Sequence, residues 1–593
     1  MATNFQSDHL IVKLKQTASP SAITKLQEAM GVTKVTKASE LGIDIWQIPS
    51  GKVEEKISAY SNDPSVEYME RDYIITLPDV KTTSPTQPNL ATITPQSTTP
   101  NDPGYPQLWG LNNTGQSGGK PDADIDAPEA WDIQRGNPNT VIGVIDSGVD
   151  YTHPDLVGNI WTNPGETAGD GIDNDNNGYI DDVRGWDFAY NDNDPMDVDG
   201  HGTHVSGTIA GKGNNSVGVT GVAWNAKIMP LRFLDDSGSG STSNAILAIN
   251  YATAKGVKLT NNSWGGGGYS QALYDAINTA GKQGALFIAA AGNSSLNTDR
   301  IPAYPASYNL SNIISVASTT RTDGLSFFSN YGATSVDLGA PGSEIYSTTP
   351  GGNYATYSGT SMASPHVTGA AALVWSQNPT WTAQQVKNRL LQTTDPLAAL
   401  RRKTVSQGRL NIYKALGGST PNDNFNSGQI QLPIAPTPSP AAPANLIETA
   451  NADTIKGLAD PSARNAKNTV KEGAGGDPLT GDPGADTLML PFAESSVSPS
   501  DPGTEFAGNQ KIDDILTEGR AMINASSLFS PAANSPVPTL EQDLSRVFTE
   551  AKGALAGNQA LGINSDPLAV AKTSLFADSY LVGIYDATKQ LGF

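Results

Sequence analysis

"TVIGVIDSG", residues 140–148, passes through Val141, Ile142, Val144 and Ile145 and closes on an acid and a turn. β-Branched residues favour extended backbone. The run does not alternate with polar residues, so both faces of this strand are expected to be buried, as in a parallel sheet covered by helices. An acid directly after such a strand is costly to bury unless it is paired or hydrogen-bonded. Asp146 therefore reads either as a turn acid, which "DSG" allows, or as a carboxylate with a chemical task.

Working outward, similar runs recur at 226–234 "AKIMPLRFL", 257–265 "VKLTNNSWG", 285–293 "ALFIAAAGN" and 312–318 "NIISVAS". Helical patterns lie between them, "STSNAILAINYATAKG" at 241–256 and "QALYDAINTAGKQG" at 271–284. This alternation predicts an α/β fold with a doubly wound parallel sheet over 101–418. Ligands of such sheets bind at the carboxyl ends of the strands. That rule singles out Asp146, the stretch Asn262 to Gly266, and Asn293.

The flanks read differently. Residues 1–80 predict a small α+β unit of order βαββαβ, provided that "VTKVTKAS" (32–39) pairs as a strand. In it "SPSAITKLQEAM" (19–30) predicts a helix capped by Ser19, with Pro20 in its first turn and Ile23, Leu26 and Met30 on one face. Residues 81–100 are a linker rich in Thr and Pro, and 419–445 a second linker. Residues 446–593 are polar and weakly periodic apart from two helical patterns, and read as an extension of unknown role, open to disorder.

Among the 593 residues there are 60 Gly, 40 Pro and no Cys, and only 16 % are charged. Disulfides and thiolate metal sites are thereby excluded. The net charge of −22 argues against nucleic acid as a partner and suits cation binding. No stretch approaches the roughly 18 apolar residues of a membrane helix. "MATNFQSDHLIVKLK" lacks a basic segment followed by an apolar core, so no secretory signal is read there.

The chain has five histidines, at 9, 153, 201, 204 and 366. His201 lies in "DGHGTHVSGTIAG" (199–211) between two glycines that permit close backbone approach, at the start of a helical pattern. His204, one helical turn on, is expected to pack rather than react. "GTSMASPHVTG" (359–369) places Ser361 among small residues ahead of another apolar helix. Such a serine can be a cap, or it can sit where unpaired N–H groups hold an oxyanion. A serine nucleophile needs a base, usually His, and the base an orienting carboxylate.

Taken together, "VIDSGVDYTHPDL", "HGTHVSGT" and "GTSMASPHVTG" resemble the three signatures of the subtilisin-like serine peptidases, in that family's order Asp, His, Ser. The resemblance covers about 101–418. It implies that Asp146, His201 and Ser361 are the triad and Asn293 the side-chain oxyanion donor. It implies that Ser263, Trp264 and Gly265 bind the substrate main chain, and that Ala291, Gly292 and Ala303 wall the pocket before the cut. Ser-Trp-Gly also resembles the kexin and furin branch, but "GGGYS" follows where that branch has acids. Specificity for basic residues is therefore not expected, with Asp299 the one acid that could supply it. Residues 1–80 resemble the family's propeptide, an intramolecular chaperone and inhibitor, with autocleavage expected in 79–101. The implied protein is a monomeric serine endopeptidase zymogen acting on proteins and peptides, with an extracellular or cell-envelope workplace. Two rivals are a catalytically silent calcium-binding scaffold and an esterase of small acyl groups.

Calcium is expected at two places. "DGIDNDNNGYIDD" (170–182) sets Asp173, Asp175 and Asn177 before a glycine, with Asp181 and Asp182 after it. The spacing is similar to an EF-hand loop, although Arg184 stands where the closing Glu would be. Such acids would repel one another without a cation. By the family resemblance, "GNNSVGVTG" (213–221) forms a second site with Asp102 and Asp155. There Asn215 would give a side-chain oxygen, and Gly213, Val217 and Val219 would give carbonyls.

Overall fold

The computed structural model describes residues 4–38, 42–77, 80–82 and 98–418. The 446–593 extension, its two helical patterns and most of both linkers lie outside the described residues.

The N-terminal part runs β1 (Phe5–Leu14), α1 (Pro20–Met30), β2 (Lys34–Ala38), β3 (Ile43–Gln47), α2 (Val53–Tyr60), β4 (Val66–Thr76). The strands form an antiparallel sheet in the order β2-β3-β1-β4. Ser19 caps α1 by accepting the Ala22 N–H, and Gly31 ends it in the left-handed conformation. "VTKVTKAS" does pair, as β2. Leu10 and Val12 of β1 pack with Leu26 and Met30 of α1 on one face. Ile11, between them, turns to the other face and joins Ile246, Ile249 and Ala276 far along the chain. Three consecutive buried residues in a sheet strand mean that both faces are covered.

The chain continues with β5 (Val80–Thr82), α3 (Ala127–Trp131), β6 (Val141–Asp146), β7 (Trp186–Asp187), α4 (His201–Ala210) and β8 (Lys227–Arg232). There follow β9 (Ser239–Ser241), α5 (Thr242–Ala254), β10 (Leu259–Asn262), α6 (Gln271–Lys282), β11 (Leu286–Ala290), β12 (Ile313–Thr319) and β13 (Leu338–Pro341). The hairpin β14 (Ile345–Thr349) and β15 (Asn353–Ser358) leads into α7 (Thr360–Gln377), then α8 (Ala383–Gln392), β16 (Asp395–Pro396), β17 (Gly408–Arg409) and α9 (Ile412–Ala415).

The main sheet has the order β16-β17-β13-β12-β11-β10-β6-β8-β7. It is parallel except where β16 meets β17. Ile142 and Val144 face α4 and α7, whereas Ile145 faces α5 and α6. Both faces are apolar, so the β6 run shows no polar alternation. The order places β6 between β8 and β10, where the winding reverses. Crevices of open sheets form at such switch points.

The two parts of the described chain meet along β4. Its edge pairs with β9, and Thr76 bridges to Gly265. Glu70 accepts hydrogen bonds from Ser270 Oγ (2.6 Å) and the N–H groups of Gln271 and Ala272, capping α6. Asp72 accepts from Ser243 N (2.9 Å) and Ser243 Oγ (2.7 Å) at the start of α5. Carboxylates at helix N-termini are favoured by the unpaired N–H groups and the helix dipole.

Candidate active site

Asp146 is the last residue of β6, and His201 the first of α4. Both side chains are fully buried, and His201 Nδ1 meets Asp146 Oδ1 at 2.7 Å. Asp146 Oδ1 also accepts the Ser147 N–H at 2.7 Å. The carboxylate thus holds the ring by Nδ1, the arrangement in which Nε2 can take up a proton. The helix can approach this closely because residue 202 is glycine: a Cβ there would collide with the Gly148 carbonyl oxygen.

α4 packs against α7, whose second residue is Ser361. Pro365 lies inside α7. Having no N–H, it cannot bond the carbonyl four residues back, that of Ser361. That carbonyl accepts instead from Ser263 Oγ (2.8 Å), on the loop leaving β10. Ser361 Oγ in turn donates to the Ser263 carbonyl at 3.0 Å. The nucleophile candidate is therefore held to the end of the neighbouring strand by a reciprocal pair of bonds.

Asn293 follows β11. Its Oδ1 accepts from Thr360 N and Thr360 Oγ1, both at 2.8 Å. A backbone N–H can only donate, so the carbonyl oxygen of the amide must face Thr360, and the NH₂ end is presented away from it. Beside the N-terminus of α7, that end has the chemistry of an oxyanion donor.

A segment of the chain already lies along the cleft. Thr76 bridges to Gly265 and pairs with Ser239, and Leu77 N donates to the Gly238 carbonyl. Ile75 is buried among Phe233, Leu234 and Trp264. Farther on, Val80–Thr82 pairs antiparallel with Ser358, Tyr357 and Thr356, immediately before α7. Gly292 and Ala303, placed in the pocket wall from sequence, are neighbours here: a Cβ on Gly292 would lie 4.0 Å from Ala303 Cβ.

Two acidic loops lie outside the Asp146, His201 and Ser361 cluster. Asp102 accepts from Asn214 N and Asn215 N, and Asp155 from Val219 N and Asn215 Nδ2. Burial, together with the charge of Asp155, raises the Asp102 carboxyl above its usual range. Asn215 Oδ1 accepts the Val217 N–H, which leaves its second lone pair for a ligand. In the other loop Glu166, Asp173 and Asp175 each offer a carboxylate oxygen within 4.8 Å of the others. Glu166 Oε2 and Asp175 Oδ1 are buried without a hydrogen-bond partner. Asp181 is occupied by the N–H groups of Gly169, Asp170 and Gly171. Asp182 is occupied by Asn163, Asn177, Tyr251 and Lys255, and Asn177 gives its oxygen to Tyr179 N. The acid run therefore splits: Asp173 and Asp175 converge, while Asp181, Asp182 and Asn177 brace the loop. Glu166, outside the run, joins the converging pair.

Comparisons with known proteins place the chain in a family. The Subtilase family pattern matches residues 137–427, and the Fervidolysin N-terminal prodomain pattern matches residues 2–72. Thermophilic serine proteinase of Bacillus sp. (strain AK1) is 36% identical over 408 residues, 69% of this chain and 86% of that protein. The chain belongs to the subtilase family. Thermitase of Thermoactinomyces vulgaris is 41% identical over 292 residues, 49% of this chain and 93% of that protein. The crystal structure of fervidolysin from Fervidobacterium pennivorans, described as a keratinolytic enzyme related to subtilisin, superposes with a TM-score of 0.55 at 27% identity. That match covers 71% of this chain and 62% of fervidolysin. This subtilase is thus a serine endopeptidase carrying an N-terminal prodomain.

Other ionisable groups of the subtilase have structural tasks. His204 stacks on Tyr357 and faces the carbonyls of Ile345 and Ala355. Burial and the neighbouring His201 push it down to about 3, so it stays neutral. Asp299 accepts hydrogen bonds from Ala333 N, and from the N–H and hydroxyl of Thr334 and Ser335. Burial would raise its carboxyl, but those donors hold it below the usual range. Asp299 thus closes a turn between its own loop and residues 333–335.

Proposed function

We propose that Asp146, His201 and Ser361 are the triad of this endopeptidase, and that the enzyme processes its own prodomain. Ser361 Oγ attacks the scissile carbonyl while His201 Nε2 takes its proton. His201 then gives that proton to the leaving amine, and water releases the acyl group by the reverse sequence. Asp146 offsets the charge on the imidazolium. Asn293 and the Ser361 N–H hold the oxyanion. The buried Asp146–His201 pair carries this reading, since a carboxylate and imidazole at 2.7 Å and out of reach of solvent fix one tautomer.

Ser263 to Gly265 would receive extended substrates by strand addition. The bridge of Thr76 to Gly265 supports that role, because the chain's own segment pairs there as a substrate would. The same pairing supports residues 1–80 as an inhibitor. Calcium is proposed at two sites: Asp102, Asp155 and Asn215 with the carbonyls of Gly213, Val217 and Val219, and Glu166 with Asp173 and Asp175. The partnerless oxygens of Glu166 and Asp175 fit a hard cation. When bound, the ion supplies counter-charge to the loop.

Mass spectrometry of the incubated protein beside Ser361→Ala tests the reading. The parent should release a fragment ending between Leu77 and Val80, and Ser361→Ala should stay whole. Processing of Ser361→Ala in a protease-free preparation would sink the assignment. Casein set against a short-chain ester separates endopeptidase from esterase.

A further inference from the structure

Asp197 lies four residues before His201 and is 3% exposed. Its Oδ1 accepts from Ser147 Oγ (2.9 Å) and Gly200 N (2.9 Å). Its Oδ2 accepts from Thr203 N (2.9 Å) and Thr203 Oγ1 (2.6 Å). A helix cap would use only the Thr203 and Gly200 donors. Ser147 is different, because it directly follows the strand that carries the other triad member. Its Oγ accepts the Gly202 N–H at 2.9 Å, and its own N–H meets Asp146 Oδ1, the oxygen that faces His201 Nδ1. The bonds close a ring: Asp197 to Ser147, Ser147 to Asp146, Asp146 to His201, and the first turn of α4 back to Asp197.

We propose that Asp197 is a positioning residue of the catalytic centre, locking the end of β6 to the start of α4 so that Asp146 and His201 keep their mutual geometry. This rests on the triad assignment above. The carboxylate suits the task because it presents only acceptors, and all four partners are donors. An amide at 197 could satisfy one pair of donors while turning its NH₂ against the other. The charged and titratable groups around it are Asp146 and His201 themselves and Asp199, which accepts the His201 N–H. Asp150 offers only its N–H, to Thr203 Oγ1, and Arg232 donates to the neighbouring Met196 carbonyl. Burial raises the Asp197 carboxyl to about 6. Acid would therefore protonate it in the range where it removes an acceptor from the ring.

The test compares Asp197→Asn, Ser147→Ala and the double variant as full chains, with kcat expressed per active site titrated by a fluorophosphonate. Displacing a catalytic group by about 1 Å costs about 100-fold in rate. Asp197→Asn should thus lose about 100-fold in kcat with KM within twofold, and Ser147→Ala about tenfold. Because both act through one ring, the double variant should be no worse than Asp197→Asn. The acid limb of kcat/KM should be steeper than one proton in the parent and fall to one proton in Asp197→Asn. A kcat within twofold of the parent, with only the melting temperature lowered, would show a plain helix cap and overturn the proposal. So would losses that multiply in the double variant. Should Asp197→Asn fail to fold, an unchanged kcat and acid limb in Ser147→Ala overturns it equally. Ser361→Ala and His201→Ala run alongside. Hydrolysis surviving in those would sink the triad assignment and not the ring alone.

Discussion

Two sets of carboxylates in this protein solve the same electrostatic problem in opposite ways. Asp197 is buried with two fixed N–H or O–H groups on each oxygen, and Asp146 is buried with Ser147 N and His201 Nδ1 both on Oδ1. Glu166, Asp173 and Asp175 sit in a surface loop where two of their six oxygens, Glu166 Oε2 and Asp175 Oδ1, meet no donor, even with Lys255 bonded to Asp175. Buried carboxylates matched by donors hold a shape without help. Carboxylates in surplus need a counter-ion. The first set positions chemistry, and the second makes stability depend on the solution.

The strongest blow to this contrast falls at the centre. Ser361→Ala or His201→Ala should cost about 10⁶-fold in kcat, a figure taken from subtilisin itself rather than derived from this structure. His204→Ala should be far milder and act through packing, and equal losses in steady-state kinetics would mean the base is misassigned. Asn293→Ala should cost about 100- to 1,000-fold with KM little changed, again a magnitude known from subtilisin. A loss confined to KM would make Asn293 a binding residue only.

The second set is probed by chelation. At a hundredfold excess over its dissociation constant, an ion bound only by the folded state contributes about 2.7 kcal/mol. Its removal should lower the melting temperature by roughly 5–10 °C and raise autolysis. Asp175→Asn should blunt that response. An unchanged melting curve on chelation would erase the distinction between the two sets.

The smallest expected effect concerns a third group of acids. Burial, with the charge of Asp126, raises Asp124 to about 8, and burial with the charge of Asp395 raises Asp126 to about 6. A carboxyl raised in the folded state stabilises below its unfolded pKa, and that stability is lost as pH rises through the folded value. Melting temperature should therefore fall between about pH 4 and 8. Asp124 accepts the Asn113 and Asp126 N–H groups on separate oxygens, so Asp124→Asn should start below the parent at pH 5 but lose less melting temperature by pH 9, as calorimetry would show. An equal fall in the two would mean that Asp124 stays charged at little cost.

Much of this was legible in the sequence where a residue acts through its immediate neighbours. Asp146 stood out because it ends an apolar strand, Ser19 because it precedes a helix, and Gly202 because it flanks His201. Other features exist only in three dimensions. Glu166 comes to Asp173 by a turn of the loop. Asp197 touches Ser147 across 50 positions of chain. Asp299 looked available because its donors lie 34 to 36 residues on. "SGS" at 239–241 has no strand pattern and is extended because β4 pairs with it. Lys81 and Thr82 open the stretch that reads as linker, yet β15 recruits them with Val80.

The edge of β4 has a consequence for the time course of activation. A cut between Leu77 and Val80 breaks one covalent link but leaves the pairing of Ile74–Thr76 with β9 intact. It also leaves Glu70 and Asp72 on their helices and Lys13 on Asp275 at 2.8 Å. Severed, the N-terminal part would still plug the cleft, and the bottleneck passes from the first cut to its destruction by a molecule already free. Activity in a fresh preparation should then rise after a lag, and the lag should shorten with protein concentration or with a trace of mature enzyme as seed.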